Sequence, residues 1–254
     1  MEVYSTAEIK NLLQNKVSPE LFEELKIDSR KGVQQLLVSY EKRQQTIELA
    51  KNNFYDRLSF ERQLSAEGFS AVAGIDEVGR GPLAGPVVAA AVILPADFFQ
   101  PEVNDSKQVS EKKRNTLYEI ILEKAVAVGI GVISEKVIDQ VNIYQATKLA
   151  MIDAVKNLEV PADFLLLDAM KLDLAIPQES LIKGDARSVS IAAASIVAKV
   201  TRDSLMTAYD EEFPGYDFTH NAGYGTKNHL AGLSEFGPSP IHRRTFAPVK
   251  DYFK

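Results

Sequence analysis

A glycine-rich turn between two apolar runs, within residues 71–94, constrains this chain more than any other feature. The first run predicts a short buried strand, and the adjacent carboxylates Asp76 and Glu77 stand at its end. Pro82 and Pro86 exclude a helix from the turn, because proline removes a backbone donor and clashes inside a helix. The second run is apolar throughout, which is typical of a strand buried on both faces. The stretch therefore predicts two consecutive core strands with a pair of acids beside the turn.

The residues around this turn indicate metal and phosphate chemistry. Neighbouring carboxylates resist ionisation unless a positive partner lies on them, and a divalent cation with oxygen ligands is such a partner. Gly79 and Gly81 let a bulky ligand reach the backbone, and Arg80 between them supplies a positive charge. Acids, accessible backbone and arginine together predict a site for a phosphate-containing substrate.

Beyond the turn, strand-like apolar runs alternate with segments of helical spacing. The sequence predicts strands at 71–76, 87–94, 126–133, 164–168 and 181–183, and helices at 110–125, 134–137, 143–157 and 190–211. After Pro214 it predicts loops, turns and a short helix near 227–236. In the helix at 110–125 we expect four side chains to face inward: Leu117, Ile120, Ile121 and Leu122. This order predicts an α/β domain with a mixed sheet, at residues 69–254.

The first 68 residues differ from the rest. They contain few glycines, and their apolar residues recur at helical spacing, with helix starts at Ser5 and Ser18. The stretch 39–64 predicts one long polar helix. We therefore expect residues 1–68 to form a small helical region that packs or helps to grip a substrate, since it has no acidic cluster at strand ends.

Composition limits where the chain works. The 254 residues contain no cysteine, which excludes disulfides and thiolate metal sites. No apolar run approaches the roughly 18 residues of a membrane span, and the first residues lack the pattern of a signal peptide. We therefore expect a cytoplasmic protein with no membrane partner. The net charge of −6 is only a weak argument against a nucleic-acid partner, because the tail from Tyr216 is mildly basic.

Two further aspartates extend the acidic site. Asp168 ends the apolar run at 164–168, and Asp185 precedes the helix at 190–211. If the strands that carry Asp76 and Asp168 are neighbours, the two carboxylates meet at the carboxyl ends of the sheet. Two Mg²⁺ or Mn²⁺ ions about 3.5–4 Å apart would neutralise them and hold the entering and leaving oxygens of a phosphodiester. A lone aspartate at a strand end is more often a cap or turn residue, so the adjacent acids beside the glycines carry this hypothesis.

The same glycines suggest an alternative, a nucleotide-dependent oxidoreductase. The spacing of Gly79, Gly81 and Gly85 after a strand resembles a dinucleotide-binding turn. That turn requires a following helix whose N-terminus holds the pyrophosphate, whereas here the prolines interrupt and another strand follows. It would also place two carboxylates against a negative ligand, so the sequence disfavours this alternative.

Several motifs, in order along residues 69–247, resemble the ribonuclease HII family, the type 2 ribonucleases H. The first is the stretch from Gly74 to Pro86, Gly-Ile-Asp-Glu-Val-Gly-Arg-Gly-Pro-Leu-Ala-Gly-Pro. The others are Asn104-Asp105-Ser106-Lys107, Leu167-Asp168-Ala169, Lys183-Gly184-Asp185, the stretch from Ala193 to Asp203, Gly223-Tyr224-Gly225-Thr226-Lys227 and His242-Arg243-Arg244. Chance agreement over so many ordered motifs is negligible.

The resemblance implies a ribonuclease H-like mixed sheet flanked by helices, with a helical N-terminal region and a C-terminal tail of helices and loops. It implies a four-carboxylate centre at Asp76, Glu77, Asp168 and Asp185 that holds two Mn²⁺ or Mg²⁺ ions. The implied reaction is endonucleolytic hydrolysis of the RNA strand of RNA/DNA hybrids, and cleavage 5′ of single ribonucleotides in duplex DNA, to 3′-hydroxyl and 5′-phosphate ends. We expect a monomer.

The resemblance also suggests how the substrate is read. The 2′-hydroxyl separates RNA from DNA, and the backbone of Gly79, Arg80 and Gly81 is expected to contact it. Tyr224 matches the family tyrosine that stacks on the next deoxyribose and senses the junction. Four basic residues are candidates for phosphate contact: Lys107, Lys199, Arg202 and Lys227.

Two alternative assignments, a related family and a non-catalytic domain of the same fold, are less consistent with the sequence. Ribonuclease HIII shares the Asp-Glu pair but carries another residue at the Arg80 position and a β-rich N-terminal platform, whereas this chain predicts helices there. A catalytically silent nucleic-acid-binding domain on the same fold is opposed by the four acids, since a negative cluster alone repels phosphates.

Overall fold

A computed structural model describes residues 4–253 and divides the chain into two compact units. One unit runs to Tyr55 and the other begins at Asp56, which lies earlier than the predicted boundary at residue 68. No helix in the described range is long and apolar enough to cross a membrane.

The first unit is helical, as its spacing predicts. Its elements are α1 (Thr6–Leu12), α2 (Pro19–Lys26) and most of α3 (Lys31–Arg57). Ser5 and Glu8 form a reciprocal capping box at the start of α1, and the hydroxyl of Ser18 caps α2 ahead of Pro19. The helices bury a small common core of Ile9, Leu13, Leu25, Val33, Leu37 and Tyr40.

The second unit contains the sheet. Its strands are β1 (Val72–Val78), β2 (Val87–Ile93), β3 (Ala127–Ile133), β4 (Phe164–Asp168) and β5 (Gln178–Leu181). Its helices are α4 (Ser59–Ala66), α5 (Glu111–Lys124), α6 (Glu135–Val141), α7 (Ile143–Lys156), α8 (Val189–Glu212), α9 (Phe218–Asn221) and α10 (Lys227–Phe236), with short 3-10 turns at Gly184–Ala186 and Val249–Phe253.

The sheet is mixed, with strand order β3-β2-β1-β4-β5. β1 pairs antiparallel with β2 and β2 with β3, whereas β1 pairs parallel with β4 and β4 with β5. The antiparallel strands come first in the chain because the glycine-rich turn returns β2 beside β1 without a crossover. The predicted fold class is confirmed, and the parallel pairing of β1 with β4 meets the condition under which Asp76 and Asp168 come together.

Helices cover the two faces of this sheet at close range. A Cβ on Gly74 of β1 would lie 2.1 Å from the backbone of Ser190, so only glycine lets α8 approach the strand. On the other face, a Cβ on Gly129 or Gly131 of β3 would lie 2.0 Å from carbonyl oxygens of α7. Because side chains alternate along a strand, Asp76 shares the α8 face with Gly74.

Four local expectations were wrong. The first strand continues to Val78, so the acidic pair lies within β1 rather than after it. The last strand is Gln178–Leu181 rather than 181–183. The long helix expected at 39–64 breaks at Leu58, between α3 and α4. Leu122 is exposed because Leu117 and Ile121, four residues apart, define the buried stripe of α5 and Leu122 is rotated away from it.

Candidate active site

The centre of the site lies where the parallel pairing of β1 with β4 ends. Ile75 of β1 pairs with Leu167 of β4, so Asp76 and Asp168 occupy the next positions of neighbouring strands. Asp76 is only 6% exposed, and Asp168 is partly buried. The Oδ1 atom of Asp168 accepts a hydrogen bond from the N–H of Gly184 at 2.7 Å, which fixes the rotation of this carboxylate. The sheet therefore brings together two acids far apart in the chain.

A pair of buried hydroxyls lies behind Asp76. Ser195, on α8, favours the charged form of Asp76 and lowers the pKa of its carboxyl, against the larger rise that burial causes. The Oγ atom of Ser195 also lies 2.9 Å from the Oγ of Ser106, and both serines are buried. From the sequence, Ser195 was interpreted as a packing residue or a weak phosphate donor and Ser106 was given no role, although both lie in matching motifs. The Ser106–Ser195 pair is thus a buried polar contact that joins the 104–107 segment to α8 beside Asp76.

Glu77 and Arg80 form the edge of the acidic centre. The Nη1 atom of Arg80 lies 3.2 Å from Oε1 of Glu77. The other oxygen, Oε2, is buried and has no hydrogen-bond partner among the residues that the structure describes. A buried carboxylate oxygen without a hydrogen-bond partner fits the role of a cation ligand, because burial of an unpaired charge is otherwise costly.

Asp185 completes the set from a short turn. It lies in the 3-10 turn Gly184–Ala186, directly before α8, and is partly buried. Burial raises its pKa, and the charges of Asp105 and Asp168 raise it further, against the opposing charge of Lys107. These effects place Asp105 and Lys107 near the acidic centre, and sequence reasoning missed Asp105 despite its position in a matching motif.

The negative charges of these acids raise one another's pKa values. Burial raises the pKa of the Asp76 carboxyl well above its usual value, and the charges of Glu77 and Asp168 add to the rise. Burial likewise raises the pKa of Glu77, with Arg80 opposing and Asp168 adding to the shift. Each group would therefore ionise more readily if cations lay between them.

The donor chemistry fits Mg²⁺ or Mn²⁺, which prefer carboxylate oxygens. Within residues 4–253, no three His, Asp or Glu side chains are arranged as a closed ligand set for one ion. Such closure is not required of a catalytic site for these ions, because they commonly keep waters and take one or two carboxylates together with substrate phosphates. Asp76, Glu77, Asp168 and Asp185 are the residues that would hold them.

The glycine-rich turn and the Tyr224 turn lie against each other. Gly79 has a φ of +93°, and a Cβ there would lie 2.2 Å from the guanidinium of Arg202. A Cβ on Gly81 would lie 3.3 Å from the ring of Tyr224, which is 46% exposed. The N–H of Leu83 donates to the carbonyl of Gly223 at 2.8 Å. The structure thus brings the predicted backbone contacts and the predicted stacking residue to one surface.

One predicted phosphate contact is wrong. Arg202 is 0% exposed, and its guanidinium donates to the carbonyls of Ala84, Pro86 and Ala222. A phosphate has no path to it, because the side chain projects from α8 beneath the glycine-rich turn rather than into solvent. The helical position of Arg202 in the sequence carried no sign of this burial.

The other basic candidates are at the surface. Lys107 and Lys227 are exposed. The Nζ atom of Lys199 lies 2.6 Å from Oδ1 of Asp203, one helical turn away, so a phosphate would compete with that ion pair. Phosphate contact by these lysines stays a prediction.

A buried histidine pair supports Tyr224. The N–H of Ser239 donates to Nδ1 of His242 at 2.9 Å, and Nε2 of His242 lies 2.9 Å from Nε2 of His229. The Nδ1–H of His229 donates to the carbonyl of Tyr224 at 2.9 Å. These partners assign one hydrogen to each ring, so both histidines are neutral in this arrangement. Burial lowers the pKa of both, that of His242 to about 4.

Two family descriptions match the chain. The model described as Ribonuclease HII matches residues 73–249, and the one described as Ribonuclease HII N-terminal domain matches residues 5–65. Among curated proteins named ribonuclease HII, that of Lactobacillus johnsonii is 61% identical over 97% of this chain and 98% of its own length. The Ligilactobacillus salivarius protein is 58% identical over 98% of both chains, and the Enterococcus faecalis protein 60% over 88% of both.

Solved structures share the fold at lower identity. The ribonuclease H2 of Pyrococcus horikoshii is 24% identical with a TM-score of 0.60, over 71% of this chain and 96% of its own. A Bst-RNase HIII structure described as a complex with Mn²⁺ is 18% identical with a TM-score of 0.55, over 75% of this chain and 72% of its own. At these identities the comparison bears on the fold alone.

Proposed function

This chain belongs to the ribonuclease HII family of nucleases, and we propose that it hydrolyses the RNA strand of RNA/DNA hybrids with the help of divalent metal ions. The observation that carries the proposal is the carboxylate pair of buried Asp76 and partly buried Asp168, which lies just past the parallel pairing of β1 with β4. Within residues 4–253 neither acid forms an ion pair with a basic side chain, so the two suit a reaction that brings cations and phosphate together. We further propose that the enzyme cuts 5′ of single ribonucleotides in duplex DNA.

We assign the four acids different roles in metal binding. Asp76 and Asp168 would hold two Mn²⁺ or Mg²⁺ ions, and Glu77 and Asp185 would complete the site from its two sides. When bound, the ions supply a polarised phosphodiester and a stabilised leaving oxygen.

The surface beside the acids suits recognition of a ribose. The N–H groups of Arg80 and Gly81 have no acceptor among the described residues, and successive free N–H groups form a concave site for oxygen atoms. These groups would contact the 2′-hydroxyl, and the exposed ring of Tyr224 would stack on the following deoxyribose. The scissile strand would leave a 3′-hydroxyl and a 5′-phosphate.

The alternative of a silent nucleic-acid-binding domain is less consistent with the charges. Four acids at the point of closest approach would repel the phosphate backbone without cations. We propose that the protein works as a monomer and that its N-terminal helices help to hold the substrate.

A cleavage assay with end-labelled strands tests the proposal. The substrates are a uniform RNA/DNA hybrid, a DNA duplex with one ribonucleotide and an all-DNA duplex, each with Mn²⁺, Mg²⁺ or EDTA. We expect cleavage of the first two, only with metal, and a single cut 5′ of the lone ribonucleotide. Asp76→Asn should abolish cleavage while it preserves or tightens hybrid binding. Unchanged turnover in that variant, or cleavage in EDTA, would contradict the metal role.

A further inference from the structure

Two buried arginines lie beneath the recognition surface and have no part in the chemistry described above. Arg202 and Arg243 are both 0% exposed. Their guanidinium groups donate only to backbone carbonyls, and neither forms an ion pair within residues 4–253. Two cations buried side by side without a carboxylate are costly, and well-packed apolar residues of similar volume would be cheaper. Apolar residues, however, could not donate the hydrogen bonds by which these guanidinium groups fix the positions of several backbone carbonyls.

Arg243 holds the glycine-rich turn. Its Nε atom donates to the carbonyl of Gly85 at 3.0 Å, its Nη1 to that of Arg80 at 3.0 Å, and its Nη2 to that of Gly79. In a trans peptide the carbonyl and the following N–H point in opposite directions. Carbonyls of Gly79 and Arg80 that face Arg243 therefore direct the N–H groups of Arg80 and Gly81 away from it. Neither of those two N–H groups has an acceptor among the residues that the structure describes.

Arg202 joins that turn to the neighbouring one. Its Nε donates to the carbonyl of Pro86 at 2.9 Å and its Nη2 to that of Ala84 at 3.1 Å. Its Nη1 donates to the carbonyl of Ala222 at 2.8 Å, two residues before Tyr224. One planar guanidinium, together with the Leu83–Gly223 backbone hydrogen bond, thus ties the turn that would contact the ribose to the turn that carries Tyr224.

Lysine could not reproduce either arrangement. Its ammonium is a single point charge on a flexible stem, whereas the guanidinium presents donors in a rigid planar fork. Burial lowers the pKa of Arg243 to about 9 and that of Arg202 to about 10. Both therefore remain charged near neutral pH, and all the donors that this geometry requires stay in place.

We propose that Arg243 and Arg202 are positioning residues with separate effects on substrate choice. Arg243 orients the N–H groups of Arg80 and Gly81, which every ribose-containing substrate would use. Arg202 couples the Tyr224 turn to them, which matters only where a deoxyribose follows the ribonucleotide. This inference rests on the proposed function and predicts that Arg202 sets the preference for single ribonucleotides over uniform hybrids.

The test compares kcat/KM on the single-ribonucleotide duplex and on the uniform hybrid for matched lysine variants. Arg202→Lys should lower the value on the single-ribonucleotide duplex at least about tenfold more than on the hybrid, a coupling of about 1.4 kcal/mol. Arg243→Lys, the matched control, should lower both values by a similar factor. In a Tyr224→Ala background, Arg202→Lys should leave the ratio unchanged, because contributions that act through one contact are not additive. Calorimetric Mn²⁺ binding without substrate should be unaltered in both lysine variants.

The outcomes separate the two proposals. If the wild-type protein cuts neither ribonucleotide substrate, the proposed function is wrong. If the wild-type protein cuts both substrates, this inference is wrong in either of two cases. In the first, Arg202→Lys lowers kcat/KM equally on both substrates. In the second, the effects of Arg202→Lys and Tyr224→Ala on the ratio of the two kcat/KM values are additive. If Arg202→Lys does not fold, Gly223→Ala displaces the same turn, because its Cβ would lie 2.5 Å from the carbonyl oxygen of Ala84. An unchanged substrate ratio in folded Gly223→Ala would then overturn the inference.

Discussion

Acid should destabilise this protein through its buried histidine pair. His242 is 2% exposed and His229 0%, and each ring carries one hydrogen that its neighbours require. Protonation of His242 at Nδ1 would turn the acceptor of the Ser239 N–H into a donor. The folded state therefore resists the proton that the unfolded chain accepts, and stability is full above the ordinary histidine pKa of 6.5 and falls as the pH drops toward about 4.

The size of the effect follows from the two pKa values. With about 4 in the folded state and 6.5 in the unfolded state, the folded form loses about 2.5 kcal/mol relative to the unfolded form by about pH 4.5. The buried acids act in the opposite direction, since raised carboxyl pKa values favour the folded state on acidification. A variant that lacks only the histidine is therefore needed as the reference.

His242→Asn provides that reference, because its side-chain oxygen can still accept from Ser239 and it does not titrate. We expect urea unfolding in EDTA, followed by circular dichroism, to show that wild type loses about 2.5 kcal/mol more than the variant between neutral pH and about pH 4.5. Preference for the single-ribonucleotide duplex should fall over the same range, because His229 holds the Tyr224 carbonyl. Parallel pH profiles of stability for the two proteins would refute the assignment of His242 as a neutral, buried group.

Three further predictions concern packing, recognition and the first unit. Gly74→Ala should lower the free energy of unfolding by about 3 kcal/mol, because its Cβ would lie 2.1 Å from the backbone of Ser190. Gly32→Ala, whose Cβ would lie 3.5 Å from its nearest contact, should raise the free energy of unfolding by about 0.5–1 kcal/mol. A similar effect of both substitutions in urea melts would contradict the close approach of α8 to β1. Arg80→Ala should cost about tenfold more in kcat/KM on the single-ribonucleotide duplex than on the uniform hybrid, whereas Arg80→Lys should cost less, and equal losses on both substrates would remove the sensing role. Deletion of residues 1–55 should raise KM for the hybrid more than it lowers kcat in steady-state assays, and a tightly binding but inactive truncation would show that the first unit supports the chemistry instead.

Periodic and local features of the fold were predictable from the sequence. The run at 164–168 was predicted with the bounds that β4 has, because a short apolar segment ending in a charged residue has few alternatives. The alternation of helical and strand-like segments after β2 was sufficient to predict an α/β fold. Boundaries failed where tertiary packing decided them, as at Leu58, where the chain leaves α3 to begin α4 against the sheet, and at β5, whose edge position depends on pairing with β4.

The site divides in the same way. The motif from Gly74 to Pro86 indicated which acids and which backbone segment would serve, and the parallel pairing of β1 with β4 then brought Asp76 beside Asp168. The roles of Arg202 and Ser195 were not accessible, because burial and hydrogen-bond partners depend on residues distant in the chain. The carbonyl of Ala84 that Arg202 holds is 118 positions away, and the hydroxyl of Ser106 that meets Ser195 is 89 positions away.

The sequence by itself determined the chemical groups of this protein: four acids, a glycine-rich turn with one arginine, and a tyrosine between glycines. The tertiary structure alone decided the surroundings of these groups: which acids lie together, which arginine is exposed to solvent and which is buried beneath the turn. The physical reason is that side-chain identity is local, whereas the surrounding dielectric and the available partners are properties of the packed chain.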